Sequence, residues 1–269
     1  MRLIRRALII VLALLIGAQI ATDLYLKSQK RNDPPVISCP QEVLEVSVDE
    51  PKSVYLTGMT ATDPQDGDVT DRIIIGNISR LVSECTAKVT FYVFDTDHNM
   101  DVCTRLIRYI DYHRPRFAIL EPLVCDPAEK VSLSACLAAT DVLDGDISDR
   151  INFSILAKTE DPEVSFVTVH VANSLGDMAS LELPVLIQSH DPLRPTISLT
   201  DYLVYVEKGQ QVNPASYIQT VRSAEGEVDP AQVQIQGVID TEKTGTYYVF
   251  YAYTSGDSVG MAALTVVVL

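Results

Sequence analysis

Hydrophobic and polar residues alternate along most of this chain in short runs separated by turn residues. Val43-Leu-Glu-Val-Ser-Val48 alternates, Asp49 to Lys52 reads as a turn, and Ser53 to Leu56 reads as the start of a second strand. Ala87 to Phe94 alternates strictly and puts Val89, Phe91 and Val93 on one face, after which Val102 to Ile110 closes the pattern. Val164 to Val171 followed by Leu181 to Ile187, and Thr246 to Tyr253 followed by Ala263 to Val268, repeat it. In the last pair Tyr247, Val249, Tyr251 and Tyr253 share a face, and Tyr248 points the other way as a candidate contact for sugar or protein. A period of two marks half-buried strands, and no 3.6-residue period occurs beyond residue 31. The pattern predicts an all-β chain of short strands.

Residues 1–31 are different in kind. Arg2, Arg5 and Arg6 precede the apolar run from Ala7 to Ala21, and Lys27, Lys30 and Arg31 follow it. Extended through Leu26, the run has about 20 residues, the length of a membrane-spanning helix. Neither Ala18 nor Ala21 has a small residue at the position a signal peptidase reads, and no cysteine follows for lipoprotein processing. The segment reads as an uncleaved signal anchor or as a removed secretory signal. Its arginines place the N-terminus inside and everything after residue 31 outside. No sorting motif follows the last strand, so anchoring is expected from the N-terminal segment.

The remaining pattern is written in copies. Asp63-Pro-Gln-Asp-Gly-Asp-Val-Thr-Asp-Arg-Ile73 returns as Asp141-Val-Leu-Asp-Gly-Asp-Ile-Ser-Asp-Arg-Ile151, with seven of eleven positions identical, and Pro35, Pro115 and Pro195 stand 80 residues apart. A fixed period means a tandem array of one unit, and about 80 residues make that unit a small domain. The expected organisation is a signal anchor over 1–31 and domains over 32–112, 113–191 and 192–269. Asp111 to Pro115 and Ser189 to Pro195 read as short, proline-stiffened linkers. In the third unit the phrase decays to Ala224-Glu-Gly-Glu-Val228.

Pro-x-Ile near the start of each unit, the Asp-Gly-Asp phrase at Thr62 to Ile73 and Thr140 to Ile151, and Gly-Thr-Tyr-x-Val-x-Tyr at Gly245 to Tyr251 together resemble the bacterial immunoglobulin-like repeats of surface and secreted proteins. They are similar to the Ig-like module of an insecticidal crystal protein and, more loosely, to hyalin repeats. The resemblance covers 33–269. It implies three tandem immunoglobulin-like β-sandwiches used as non-catalytic spacers or adhesive units, which with the leader gives an all-β chain after one N-terminal transmembrane helix.

Charge and chemistry narrow the picture. Beyond residue 31 the chain carries 15 Lys/Arg against 35 Asp/Glu, a net of minus 20. Such a surface repels nucleic acid and attracts divalent cations. In an immunoglobulin topology the Asp phrase and the turn after the penultimate strand meet at one end. Asp63, Asp66, Asp68, Asp95 and Asp97 then converge in the first unit, and Asp141, Asp144, Asp146 and Asp177 in the second, with linker Asp111 close by. Hard oxygen donors from two loops suit calcium; equally, Asp-Gly-Asp is good turn chemistry in which the side chains cap their own backbone. Both readings stand at this point.

Five cysteines at 39, 85, 103, 125 and 136 lie beyond the leader without a Cys-x-x-Cys spacing, so disulfides are the expectation in an oxidising compartment. Strand order favours Cys39 with Cys103, and Cys125 with Cys136 across a hairpin turn at Asp126 to Lys130, leaving Cys85 as a small buried hydrophobe or an intermolecular link. His98, His113, His170 and His190 are scattered, and no nucleophile elbow, zincin helix or phosphate loop occurs. No catalytic residue is expected. The chain reads as a membrane-attached, extracytoplasmic stalk or binding module for a protein or cell-wall polysaccharide. The alternatives are a calcium-stiffened adhesin and a carbohydrate-binding accessory protein.

Overall fold

A computed structural model describes residues 2–29, 33–83, 85–126, 133–154, 157–158, 162–189 and 191–269, with side chains given for 10–25 of the first helix and not for 157–158. The leader forms one helix, α1, over Arg2–Gln29. Among the described residues no helix is long and apolar enough to cross a membrane. Gln19, Thr22 and Asp23 interrupt the apolar run. The expected transmembrane anchor is therefore not supported.

Among the described residues, the chain after the leader is strand, turn, irregular connection or single turns of 3₁₀ helix, in six sheets that follow the sequence in pairs. The first pair joins Val36–Ser38, Thr60–Asp63 and Gly67–Asp68 in one sheet, and Val43–Val46, Met100–Tyr109, Thr86–Phe94 and Ile74–Ser83, in that spatial order, in the other. The second pair joins Arg116–Ile119, Leu137–Asp141 and Gly145–Asp146, and Asn152–Phe153, Val164–Ala172, Met178–Ile187 and Val124–Cys125, with Ala157–Lys158 beside Val164–Ala172. The third joins Thr196–Leu199, Ile218–Ser223 and Gly226–Glu227, and Leu203–Val206, Ser258–Val268, Gly245–Ser255 and Gln234–Gln236. Each pair is a sandwich with alternate residues turned inward.

The expected inward faces hold. Val89, Phe91 and Val93 are fully buried, as are Val169, Leu183, Val249 and Tyr251. Tyr247 and Tyr253 lie partly buried against the core that contains Val249 and Tyr251.

One expectation fails. Lys52–Leu56 is a 3₁₀ turn with buried Tyr55, not a second strand, because Pro51 starts the turn and removes a ladder donor. The first strand lies near the last, with the Ile37 N–H donating to Asp101 Oδ2 at 2.9 Å, but it is divided between the two sheets. In the second and third sandwiches a short strand near the start changes sheet and pairs in parallel with the last strand, Val124–Cys125 with Met178–Ile187 and Leu203–Val206 with Ser258–Val268. Splitting the first strand gives both sheets a hydrogen-bonded edge.

The described chain clusters into two compact units, one of residues 1–45, 51–78 and 88–108, the other of 46–50, 79–87 and 109–269. Within the second unit the linker before Pro195 does not hold neighbouring sandwiches apart. Leu203 and Val267 pack against the core of the second sandwich. The Tyr205 hydroxyl accepts from the Phe117 N–H at 2.9 Å, and the Arg116 guanidinium lies 5.2 Å from the Tyr205 ring centre.

Candidate functional site

The repeated phrase folds into a hairpin followed by one 3₁₀ turn, and most of its polar positions have a structural task. In the first copy Asp63 Oδ1 accepts the N–H groups of Gln65 and Asp66 at 2.8 and 2.6 Å, which closes the turn. Gly67 sits at φ +79°, where a side chain is strained. Asp68 Oδ1 accepts the Thr70 N–H at 2.9 Å, and Thr70 Oγ1 accepts the Ala61 N–H at 3.0 Å. Val69 is fully buried and its N–H donates to the Ala61 carbonyl. Arg72 then reaches back to Asp66 Oδ2 at 2.5 Å, and Asp66 also accepts the N–H and the hydroxyl of Thr96 at 2.8 and 2.7 Å.

The second copy repeats this. Asp141 Oδ1 accepts from Leu143 and Asp144, Gly145 has φ +73°, Asp146 holds Ser148, Ile147 is buried, Arg150 pairs with Asp144 at 2.5 Å, and Ser174 gives its N–H and hydroxyl to Asp144. The decayed third copy keeps the backbone and changes the side chains. Gly226 has φ +128°, Val228 donates to Val221, and Asp229 caps the 3₁₀ turn Pro230–Gln232.

These bonds set the acidities. The Thr96 hydroxyl, and after it Arg72, hold Asp66 below the ordinary carboxylate value of 3.8, and Thr70 and Ser148 do the same for Asp68 and Asp146. At Asp144 burial works against ionisation, and the bonds from Ser174 and Arg150 outweigh it. A depressed folded pKa contributes stability that is present above the unfolded value and lost as pH falls through the folded one. The urea midpoint is therefore expected to stay flat from neutral pH down to about 4–5 and to drop below about 4. Asp144→Asn should flatten that acid limb; an unchanged limb would contradict this assignment.

The turn after the penultimate strand completes the corner. Asp95 accepts from the Asn99 N–H and side-chain amide at 2.7 and 2.6 Å. In the second sandwich the two residue types are exchanged, with Asn173 first and Asp177 four residues later. Asn173 Oδ1 accepts the N–H groups of Leu175 and Asp177, and its Nδ2 donates to Asp141 Oδ2 at 3.1 Å and to the Tyr112 hydroxyl at 2.9 Å. Tyr112 donates to Asp177 Oδ2 at 2.7 Å, and Arg114 lies 3.6 Å from Asp177 Oδ1. Burial, then the bond to Asp177, pushes the Tyr112 hydroxyl far above its ordinary range. Tyr112, Arg114 and Asp177 line an open cleft of about 560 Å³ with Leu81 and Cys85. Linker Asp111 is engaged by the Ser47 hydroxyl and the Val48 N–H, which in that order of weight hold its carboxyl below the ordinary carboxylate value.

The structure thus places each candidate ligand. Asp66, Asp68, Asp144 and Asp146 are held by hydroxyl, amide or guanidinium groups, and Asp177 by Tyr112 and Arg114. Exposed Asp97 lies in the same turn as Asp95. Among the described residues no group of three or more His, Cys, Asp or Glu side chains is placed to hold a metal ion. Pairing with Arg72 and Arg150 is what sequence reasoning missed. Its signal was visible as an arginine six residues after the acid in both copies.

All five cysteines are free thiols. Cys39 and Cys103 are neighbours, and burial together with a hydrogen bond between them pushes the Cys103 thiol up to about 11. The raised value slows attack by this thiol, but proximity makes Cys39 and Cys103 the pair expected to couple when the chain is held with a small-molecule disulfide to equilibrium, detectable by non-reducing peptide mapping; a different pair would contradict the geometry. The hairpin expected to join Cys125 and Cys136 is not formed. Cys125 pairs with Ile187 in one sheet, whereas Cys136 leads into Leu137–Asp141 of the other. Residues 127–130 of that turn lie outside the described residues. Cys85 is half-buried at φ +57°. His170 contacts the Ser154 hydroxyl at 3.0 Å, His98 and His113 contact backbone carbonyls, and His190 lies outside the described residues. Tyr248 is not a free contact residue: its ring packs edge-on against Phe166 at 4.9 Å and its hydroxyl donates to the Glu182 carbonyl.

No family model matches the chain. A stretch of 129 residues, 46% of the chain, is 33% identical to the pesticidal crystal protein Cry22Aa of Bacillus thuringiensis and spans 17% of that protein. Among solved structures, the CBM51-2 (in complex with GlcNAc) and INT domains of Clostridium perfringens ZmpB align over 55% of this chain and 26% of theirs, at 19% identity and a TM-score of 0.24. Human CDH23 EC21-23 aligns over 87% of this chain and all of its own, at 12% identity and a TM-score of 0.23.

Proposed function

We propose that this chain is an exported, non-catalytic array of immunoglobulin-like sandwiches of the Asp-Gly-Asp type, acting as a surface binding or adhesion module. The observation that carries the reading is the corner built twice on one plan, with its acids committed to arginine, threonine and serine. Such a corner is a scaffold joint, and an array of scaffold joints serves to present surface. The net charge of minus 20 beyond residue 31 supports a partner other than nucleic acid. The resemblance of the Asp-Gly-Asp phrases to repeats of surface and secreted proteins supports export. The arginines in the first turns of α1 and its exposed Ile10, Leu14, Leu15 and Leu24 support delivery through or to a membrane. The partner is a protein or a cell-wall polysaccharide.

The test is co-sedimentation of the purified chain with intact cells, protease-shaved cells and isolated cell wall, beside protease accessibility of the chain on its own cells. Saturable binding that shaving removes indicates a protein partner, and binding to isolated wall indicates polysaccharide. Binding to none of these, or full protease resistance on intact cells, would overturn the reading.

A further inference from the structure

The first and second sandwiches build one corner from equivalent backbone and close it with different chemistry. In the second, Asp141 is 4% exposed, its Oδ1 holds the turn, and its Oδ2 accepts from Asn173 Nδ2 at 3.1 Å. In the first, Asp63 is 5% exposed and its Oδ1 holds the same turn, but its Oδ2 is buried without a hydrogen-bond partner among the described residues. The residue in Asn173's place is Asp95. That equivalence is fixed by the surrounding bonds. The N–H of Asp95 donates to the Asn99 carbonyl as that of Asn173 donates to Asp177, and the next residue, Thr96 or Ser174, gives N–H and hydroxyl to Asp66 or Asp144. Where the second sandwich aims an amide donor at the buried carboxylate, the first therefore presents a second carboxylate.

A buried carboxylate oxygen without a donor is costly, and Asp95 occupies the position from which the second sandwich supplies that donor. The nearby cation does not serve, because Arg72 is bonded to Asp66. Asp95 has given each oxygen one bond, to the N–H and side-chain amide of Asn99, which leaves each oxygen further lone pairs. In the third sandwich Ser223 stands opposite Gly226 where Asp63 stands opposite Gly67, so the pair of acids is confined to the first.

We propose that Asp63 and Asp95 form a site for one hard divalent cation, calcium in class, in the first sandwich and in no other. Two carboxylates supply the charge. Asp95 is only half-buried beside exposed Asp97, so solvent completes a shell of about six to eight oxygens. A site with so few protein ligands belongs in the Kd range of about 10⁻⁴–10⁻³ M typical of extracellular modules.

The test is calorimetric titration of the full chain, stripped with chelator, with calcium chloride at constant ionic strength, beside thermal melts in calcium and in chelator. One site per chain is expected. Calcium at about 100 times Kd should raise the folding constant of the first sandwich about 100-fold. Asp63→Asn should abolish binding. The double substitution Asp95→Asn with Asn99→Asp copies the pairing of the second sandwich, so it should fold without calcium and melt identically with and without it. That variant keeps the test decisive if Asp63→Asn fails to fold. Asp146→Asn in the second sandwich should bind as the wild type does. Absence of calcium binding by the wild type, or unaltered binding by the double variant, would overturn the site.

Discussion

Replacing Arg105 with methionine is expected to remove about 3–5 kcal/mol from the first compact unit, enough to unfold a marginal sandwich. Arg105 is the largest fully buried side chain, at 1% exposure. Its Nε donates to the Gln41 carbonyl at 2.9 Å, and its Nη1 donates to the carbonyls of Tyr55 and Thr57 at 3.0 and 2.8 Å. One guanidinium therefore ties strand Met100–Tyr109 to the residue ahead of Val43–Val46 and to both sides of the end of the 3₁₀ turn Lys52–Leu56. Methionine fills the volume but leaves three carbonyls without donors, each costing about 1–3 kcal/mol where it is buried. Lysine keeps the charge and loses the planar fork, so it should rescue only part of the loss. Urea unfolding followed by circular dichroism measures both variants. A methionine variant within about 1 kcal/mol of wild type would show that the carbonyls find other donors.

The second large effect is expected at Gly260. A Cβ there would sit 2.1 Å from the Pro195 carbonyl oxygen and 2.6 Å from its carbon. Both are backbone atoms and cannot swing away, so Gly260→Ala must shift strand Ser258–Val268 or Thr196–Leu199. A cost of about 2–3 kcal/mol follows, with faster amide exchange in Thr196–Leu199 as its local signature. Gly76→Ala is the control. Its closest contact, at the same 2.1 Å, is the Tyr92 ring, a side chain free to turn, so its cost should be smaller. Equal losses at the two positions would contradict the distinction.

Legibility in the sequence followed the range of the interaction. The inward faces at Val89, Phe91 and Val93 and at Val249 and Tyr251 were readable because a period of two is a local property. The hairpin corner was readable from the repeated Asp-Gly-Asp, because its turn bonds run between residues two or three apart. Arg72 stood in plain view in the phrase, but nothing in a linear pattern distinguishes a solvated arginine from one folded back onto an acid. Arg105 was further out of reach. Its three acceptors lie 48 to 64 residues away and are backbone carbonyls, which every residue carries. The change of sheet by the first strand escaped for a related reason, since both of its halves alternate equally well. Tyr248 was placed on the correct outward face, but what covers that face, Phe166 and Glu182, belongs to the preceding sandwich and leaves no local mark.

The bonds of Asp111 and Tyr112 bear on any dissection of this chain into fragments. A cut between 112 and 113, where the sequence period invites it, removes the phenol that satisfies both Asn173 and Asp177 and detaches Asp111 from Ser47 and Val48. A fragment beginning at His113 would begin with a damaged joint, and its low melting point would be an artefact of where the scissors fell. One that starts ahead of Asp111 keeps Tyr112 on Asn173 and Asp177, and with it the native closure of the second sandwich.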